Sequence, residues 1–580
     1  MGLEHINLDN EEFQKALQII QFTRRSLFLT GKAGTGKSTF LRYISETTKK
    51  KHVILAPTGI AAINAGGSTL HSFFKLPFHP LLPNDTRYNV RNMRKTLRYT
   101  SEKCKLLREV ELIIIDEISM VRADIIDFID KVLRVYNRNM REPFGGKQLL
   151  LVGDIYQLEP VVREEDRQLL APFYHSQFFF DAKVFASLQL VSIELTKVYR
   201  QNNPTFIKLL DHIRSSHVTT ADLEMLNRQV GADIDTSDSS LSITLSTRRD
   251  TVDYINSTRL AELDGDATIF DGTIEGDFPE NNLPSPLKLE LKVGAQVLFV
   301  RNDKEKRWVN GTLGTVTGFS LDVEDSKDAI IYVRTEDGVE FDVEQEIWSN
   351  IKYTFNEKEQ KIEESVLGTF CQFPLRLAWA ITVHKSQGLT FRNVKIDFSG
   401  GVFAGGQTYV ALSRCRSLEG ISLKSPIRRE DVFVKAEVSR FAKNYNNQQL
   451  IHAALEQGKA DKQYYDAVKA FDAGDMQTAL DNFFLAIHSR YDIERPVAKR
   501  YIRRKLNVIN QKDQEIARLM EEIKKKEKFL KKLAVEYVVM GRECEKEHFT
   551  EAAIRNFEKA LELCPDIPEA KRRLKKLKKD

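Results

Sequence analysis

A chain of 580 residues, 42% hydrophobic and 29% charged, has the make-up of a soluble globular protein and length for about three to five domains. Its 87 basic and 82 acidic residues leave a net charge of only +5, so any nucleic-acid surface has to be a local groove. Five scattered cysteines without a CxxC pair argue against a disulfide framework or a zinc site, and no apolar run reaches membrane-spanning length; the expected setting is a reduced cytoplasm, nucleoid-associated in a bacterium, with no membrane partner.

In chain order, residues 9–22 place Phe13, Ala16, Leu17 and Ile20 at helical spacing, with glutamines at 14, 18 and 21 available near an adenine. The run Ser26-Leu27-Phe28-Leu29-Thr30 reads as a buried strand, and GKAGTGKST follows at 31–39. Gly31, Gly36, Lys37 and Ser38 fit Gly-x-x-x-x-Gly-Lys-[Ser/Thr] in the strand, loop, helix order the motif requires. Glycines 31, 34 and 36 let the backbone curl so that the N–H groups of a loop containing Thr35 face phosphate oxygens. Lys37 then reaches the β- and γ-phosphates, Ser38 can bind magnesium, and the helix opening at Thr39 turns its positive end to the anion. ATP and Mg2+ are the ligands this predicts; the plain alternative is a glycine-rich turn before a helix.

The strand at 52–56 ends at Pro57, and PTGIAA reads as a turn before a small-residue helix. GGSTLHSFF at 66–74 mixes hydroxyls, His71 and two phenylalanines. Thr58, Ser68 and His71 are candidates for a phosphate backbone and Phe73 for stacking on a base, although a lone loop of this kind is commonly structural. Residues 76–108 form a basic excursion. The β-branched run before Asp116 and Glu117 has to be buried on both faces, as in a central parallel strand. Two carboxylates at its end suit a metal held by Asp116 and a water oriented and deprotonated by Glu117. A helix over 123–136 and a strand over 148–152 follow, and Gln157 stands where it can bond a γ-phosphate or the attacking water. Parallel strands joined by helices, each delivering polar residues at its carboxyl end, predict a doubly wound sheet.

The ordered set GKAGTGKS, APTGIAA with GSTLHSFF, IIIDE and GGKQLLLVGDIYQLEPV resembles the PIF-one-like helicases, a superfamily-one group related to RecD. PFGGKQ is similar to a signature region of that group, whereas Glu159 stands where the family usually has proline. The resemblance implies two RecA-like domains, the second supplying arginines across the cleft: LTKVYRQ at 195–201 offers Arg200 and VALSRCRS at 410–417 offers Arg414. AWAITVHKSQGLTF at 378–391 clusters Thr382, His384, Lys385 and Ser386 at a strand end; in the family this motif contacts the DNA backbone. Short alternating strands with glycine turns over 286–370 predict a small β-barrel, and NGTLGTV is similar to the family's SH3-like insert. Trp308 is there either a core residue or a base-stacking one.

Beyond 440 the sequence turns helical and charged. Ala479, Phe483 and Ala486, and again Ala553, Phe557, Ala560 and Pro565 after Gly541, resemble tetratricopeptide units. Between them Ile502, Ile509, Ile516, Ile523, Leu530 and Tyr537 recur every seven residues, predicting a long helix packed within the chain in preference to a dimeric coiled coil.

The expected fold is α/β: a RecA-like domain over 1–190, a second over 191–285 plus 371–440, an SH3-like barrel over 286–370, and an all-α extension over 441–580. The expected function is an ATP-dependent DNA helicase, monomeric, acting on single-stranded and forked DNA, with a possible protein partner on the C-terminal repeats. The resemblance adds five-prime to three-prime movement and the family's association with repair, recombination and telomere maintenance. A nucleotide-switch ATPase with a partner-binding tail, or an RNA or hybrid helicase, are the alternatives.

Overall fold

Strands that alternate between two apolar faces build the first sheet. β1 (Leu27–Gly31), β2 (His52–Ala56), β3 (Ser68–Thr69), β4 (Leu112–Ile115), β5 (Gln148–Val152) and β6 (Val191–Leu195) lie in the order β3-β2-β4-β5-β1-β6, all parallel. Phe28, Val53, Leu55, Ile113, Ile115, Leu149 and Leu151 enter the core on one face, with the helix Ala123–Asn137. Leu27, Leu29, Ile54, Leu112, Ile114 and Leu150 enter the other, against α1 (Glu11–Phe22) and α2 (Lys37–Thr47). Burial on both faces is why these strands carry consecutive large aliphatic residues and no surface alternation. The structure is a computed structural model; it describes residues 10–77, 79–201, 203–234, 241–280, 283–320, 329–489 and 496–578.

A second parallel sheet follows the order Ala380–Thr382, Ser242–Ser246, Asn393–Asp397, Ile421–Leu423. Between its strands lies a five-stranded antiparallel sheet, Glu340–Val343, Ile330–Thr335, Leu313–Ser320, Gln296–Phe299 and Leu375–Leu377. Trp308 is core here, stacked on Phe299 at 4.5 Å. A long hairpin, Glu346–Asn356 with Lys361–Gln372, sends Tyr353 into the first domain, where its hydroxyl accepts from the Ile54 N–H at 3.3 Å.

Three expected boundaries move. Val191–Leu195, placed in the second domain from sequence, pairs with β1 in the first sheet. The insert reaches past both ends of 286–370, because Thr273–Gly276 pairs with Lys361–Gln372 and Leu375–Leu377 pairs with Gln296–Phe299. Contacts divide the chain into two units, 1–466 and 467–580, not at 440, because Ile451 and Ala454 belong to the core against α1 and α2.

The second unit holds helices Met476–Ser489, Pro496–Lys546, Thr550–Leu563 and Pro568–Leu577. Its core joins Val538, Ala553, Phe557, Ala560 and Ala570. Gly541 is what lets two helices close, since a Cβ there would sit 2.8 Å from the Phe557 ring. The heptad seam differs from expectation: Ile516 and Ile523 are 51% and 57% exposed, while the end around Tyr537 joins the core. Ile502 and Ile509 lie outside the described side chains.

Candidate active site and nucleic-acid interface

The loop after β1 starts α2 with Gly36 as its N-cap at φ 89°. Gly34, at φ 80°, is met so closely by Arg200 that a Cβ would lie 2.4 Å from the Arg200 Cβ; only glycine permits this approach. The Lys37 ammonium donates to the Gly31 and Lys32 carbonyls at 2.7 and 3.0 Å. Burial lowers its pKa, opposed by the charges of Asp154 and Glu117.

Glu117 follows β4 in the left-handed region at φ 48°, a conformation uncommon for a non-glycine residue and concentrated at functional sites. Burial, and then the charge of Asp116, pushes its carboxyl up to about 7. Burial also raises Asp116, whose Oδ1 accepts the Glu117 N–H at 2.9 Å. Gln157, after β5, is buried and donates to Asp154 at 3.3 Å.

The opposite wall comes from Arg414, after the helix Gln407–Leu412, and from Arg200, in the connection that leaves the first sheet. Arg414 is fully buried; its guanidinium donates to the Val410, Ser386 and Leu389 carbonyls at 2.9, 3.3 and 3.2 Å and to Ser413 Oγ at 2.9 Å. Burial, then the neighbouring Arg200, pulls its pKa down to about 9. Arg200 donates to the Ser413 and Gly388 carbonyls, each at 3.3 Å. A cleft of about 1230 Å3 collects residues 34–39, Glu117, Gln157, Arg200 and Arg414. Gly31 is not in its lining and is tied to it by its carbonyl, which accepts from Lys37. Asn10 and Phe13 line it as well, while the glutamines at 14, 18 and 21 that the sequence offered to an adenine do not.

Three cross-domain contacts join the walls beside the cleft, and sequence reasoning missed them: the Ala33 N–H to Tyr409 Oη at 3.0 Å, Lys32 to Asp211 at 2.6 Å, and Arg214 to Asp154 at 3.0 Å. Gln387 was missed too. Its amide nitrogen donates to Glu117 Oε2 at 2.9 Å and Gln157 Oε1 at 3.2 Å. Its only sequence signal was its place inside HKSQG.

The nucleic-acid candidates divide. Thr382, His384 and Lys385 do gather after a strand of the second sheet, Thr382 Oγ1 accepting the Lys385 N–H at 3.3 Å. Burial, then Arg376 and Arg249, draws Lys385 down to about 8, which identifies two further cations at this strand end. Burial also lowers His384. Thr58 is exposed, with its hydroxyl capping the helix Gly59–Ala65. His71 is half-buried. Ser68, Phe73 and Ser386 are corrections. Ser68 is buried in β3. Phe73 is 3% exposed, packed edge-on against Phe74 and covered by the Lys103 ammonium, so no base can reach its face. Ser386 is fully buried and donates its hydroxyl to the Val383 carbonyl; its own carbonyl faces Arg414. Glu159, at the proline position of the resemblance, pairs with Lys435 at 2.5 Å.

A phosphate cradle at the carboxyl end of one parallel sheet, a carboxylate pair at the end of another strand of that sheet, and two arginines, Arg200 from the connection leaving the first sheet and Arg414 from the second domain, define the cleft of a P-loop NTPase with two parallel sheets. The chain belongs to the PIF1-like helicase family, whose model matches residues 7–224, with a second match to the DNA helicase Pif1 2B domain over 279–319. It is 36% identical over 424 residues to the ATP-dependent DNA helicase PIF1 of Rattus norvegicus, covering 71% of this chain and 60% of that one. Pif1 from Bacteroides sp in complex with ADP-AlF4 superposes with a TM-score of 0.69 at 41% identity, over 76% of this chain and 97% of that one. The Bacteroides Pif1 bound to ssDNA does so with a TM-score of 0.54 at 42% identity, over 76% and 97%. The chain spans about six tenths of the length of the first curated relatives it matches.

Proposed function

We propose that this chain is an ATP-dependent DNA helicase: two RecA-like domains grip single-stranded DNA, hydrolyse ATP between them, move five-prime to three-prime and open forked duplexes. The observation that carries the reading is the double engagement of the arginines. Arg200 and Arg414 line the nucleotide cleft and also hold the carbonyls of Ser386, Gly388 and Leu389, the segment that follows the Thr382, His384, Lys385 strand end. A γ-phosphate competing for those guanidiniums changes the grip on that segment, so nucleotide state is coupled to the turn next to the DNA-contacting residues. Relatives named as DNA helicases, and solved forms with ADP-AlF4 and with ssDNA, support the ligand classes.

In the proposed cycle the cradle of residues 34–39 and Lys37 bind the phosphates, Glu117 takes a proton from water aligned by Gln157, and Arg200 and Arg414 face the transferred phosphoryl group. Asp116 and Ser38 fit a magnesium ion. Both offer hard oxygen donors, and the buried Asp116 carboxyl, raised by burial, is the kind of group a cation stabilises in ionised form. Among the described residues no cluster of three metal-binding side chains occurs, which suits an ion that takes its remaining oxygens from phosphates and water. A magnesium ion held there would supply positive charge to the bound phosphates. Phosphate contacts through Lys385, Arg376 and Arg249 make binding sequence-tolerant and salt-sensitive.

The test is ATP turnover with and without oligo(dT), together with strand separation on tailed DNA, RNA and hybrid duplexes. DNA-stimulated turnover and unwinding of tailed DNA are expected, with Lys37→Ala and Glu117→Gln lowering turnover by about 10² to 10⁴ while oligo(dT) binding stays near wild type. Undiminished DNA-stimulated turnover in either variant sinks the assignment, and a preference for RNA or hybrid duplexes moves it to the RNA-acting class.

A further inference from the structure

Gln387 holds a position that the proposed cycle reserves for something else. Its amide nitrogen makes two donations, to Glu117 Oε2 at 2.9 Å and to Gln157 Oε1 at 3.2 Å. Those two acceptors are the groups that align the attacking water. A water molecule set between them would spend its two O–H bonds on the same two oxygens, leaving a lone pair for the phosphorus. The two N–H bonds of a primary amide reproduce that pattern of donation, and two donors cannot share one space.

The backbone of Gln387 is fixed from both sides. Ser386 O and Leu389 O accept from Arg414, and Gly388 O accepts from Arg200. The turn itself closes through the Ser386 N–H to the Thr382 carbonyl at 3.0 Å and the Gln387 N–H to the His384 carbonyl at 3.3 Å. Thr382 and His384 are therefore hydrogen-bonded to the turn that aims Gln387. A change in their position, or a pull on the carbonyls as the arginines turn to a phosphate, is transmitted over one or two residues to the amide.

We propose that Gln387 is a displaceable plug: its side-chain amide occupies the attacking-water position between Glu117 and Gln157, and a nucleic-acid backbone seated on Thr382, His384 and Lys385 withdraws it. Turnover in the absence of DNA is thereby held down by a residue that is itself no part of the chemistry. This rests on the helicase reading of the same cleft and specifies how DNA stimulates it.

The experiment is steady-state ATP turnover of the full chain with and without saturating oligo(dT), for wild type, Gln387→Ala and Gln387→Glu, with a fluorescent ATP analogue to measure nucleotide affinity. Alanine removes the plug, and glutamate places a carboxylate against Glu117 and repels itself out of the position. Both variants should raise the DNA-free rate by about ten- to a hundredfold, the range set by losing a hydrogen bond to a charged acceptor. The DNA-saturated rate should change little, so the stimulation ratio collapses toward one while analogue affinity is kept. A merely structural role would instead lower both rates together. A DNA-free rate that stays at the wild-type level or falls in both variants overturns the plug and leaves the helicase reading standing. A wild-type chain whose turnover does not respond to oligo(dT) overturns the reading and the plug together.

Discussion

At the scale of single residues, the crowding of like charges explains how a site for a polyanion behaves before the polyanion arrives. Lys385 titrates at about 8 because burial and the guanidiniums of Arg376 and Arg249 disfavour its charged form. Its pKa is depressed, so it is cationic below pH 8 and loses its proton as pH rises through that value. A DNA phosphate stabilises the cation, raising the pKa on binding, so binding takes up a proton. Affinity for oligo(dT) should therefore weaken above pH 8, by up to about tenfold for each further pH unit if this one contact must be charged. Arginine stays charged throughout this range. Fluorescence anisotropy between pH 7 and 9 at fixed ionic strength should accordingly show a flatter profile for Lys385→Arg. Parallel profiles for the two proteins would remove Lys385 from the phosphate contacts.

At the scale of elements, the two ends of the helix Pro496–Lys546 make opposite predictions. Phe557 fills the approach at Gly541 and is wholly buried, so Phe557→Ala should cost about 3–5 kcal/mol. Ile523, more than half exposed, should tolerate Ile523→Glu within about 0.5 kcal/mol. Urea unfolding followed by a probe in residues 467–580 separates the two, and a large loss in Ile523→Glu would contradict the exposed seam. The seven-residue spacing was legible because periodicity defines which residues share a face; what covers that face is not encoded in spacing. The strands of the first sheet were legible for a related reason, since burial on both sides of a parallel strand leaves its mark in every residue of LIII and in the LLLV that follows Gln148. Phe73 and Ser386 were misread because residue type suggests chemistry while Lys103, 30 positions on, and the Val383 carbonyl decide access. Gln387 was invisible for the same reason in sharper form: its partner Glu117 lies 270 positions away.

At the scale of the whole molecule, the two sheets are joined beside the cleft by contacts of unequal strength, and this sets what a motor can and cannot relax. Lys32 to Asp211 is partly exposed on both partners, at 27% and 34%, and, like other pairs near solvent, is worth about 0–1 kcal/mol. Arg214 is different. It ends the helix Pro204–Arg214 of the second core, yet it pairs with Asp154 at 3.0 Å, just past β5, and with Glu194 at 2.9 Å, in β6, and lies 4.4 Å over the Tyr156 ring. Asp154 is 1% exposed, so withdrawing the arginine leaves a buried carboxylate without its counter-charge. Arg214→Leu should therefore cost about 3–5 kcal/mol in the unfolding of the first unit. Adding Asp154→Asn should recover part of that loss, because the charge left stranded is removed too, with a coupling of about 1 kcal/mol or more between the two sites. Equilibrium urea unfolding of the wild type, both single variants and the double variant closes this cycle. Additive losses would mean that the pair does not bind the two sheets together and that the junction rests on its other contacts, among them the packing of Leu158 and Ala33 into the second core.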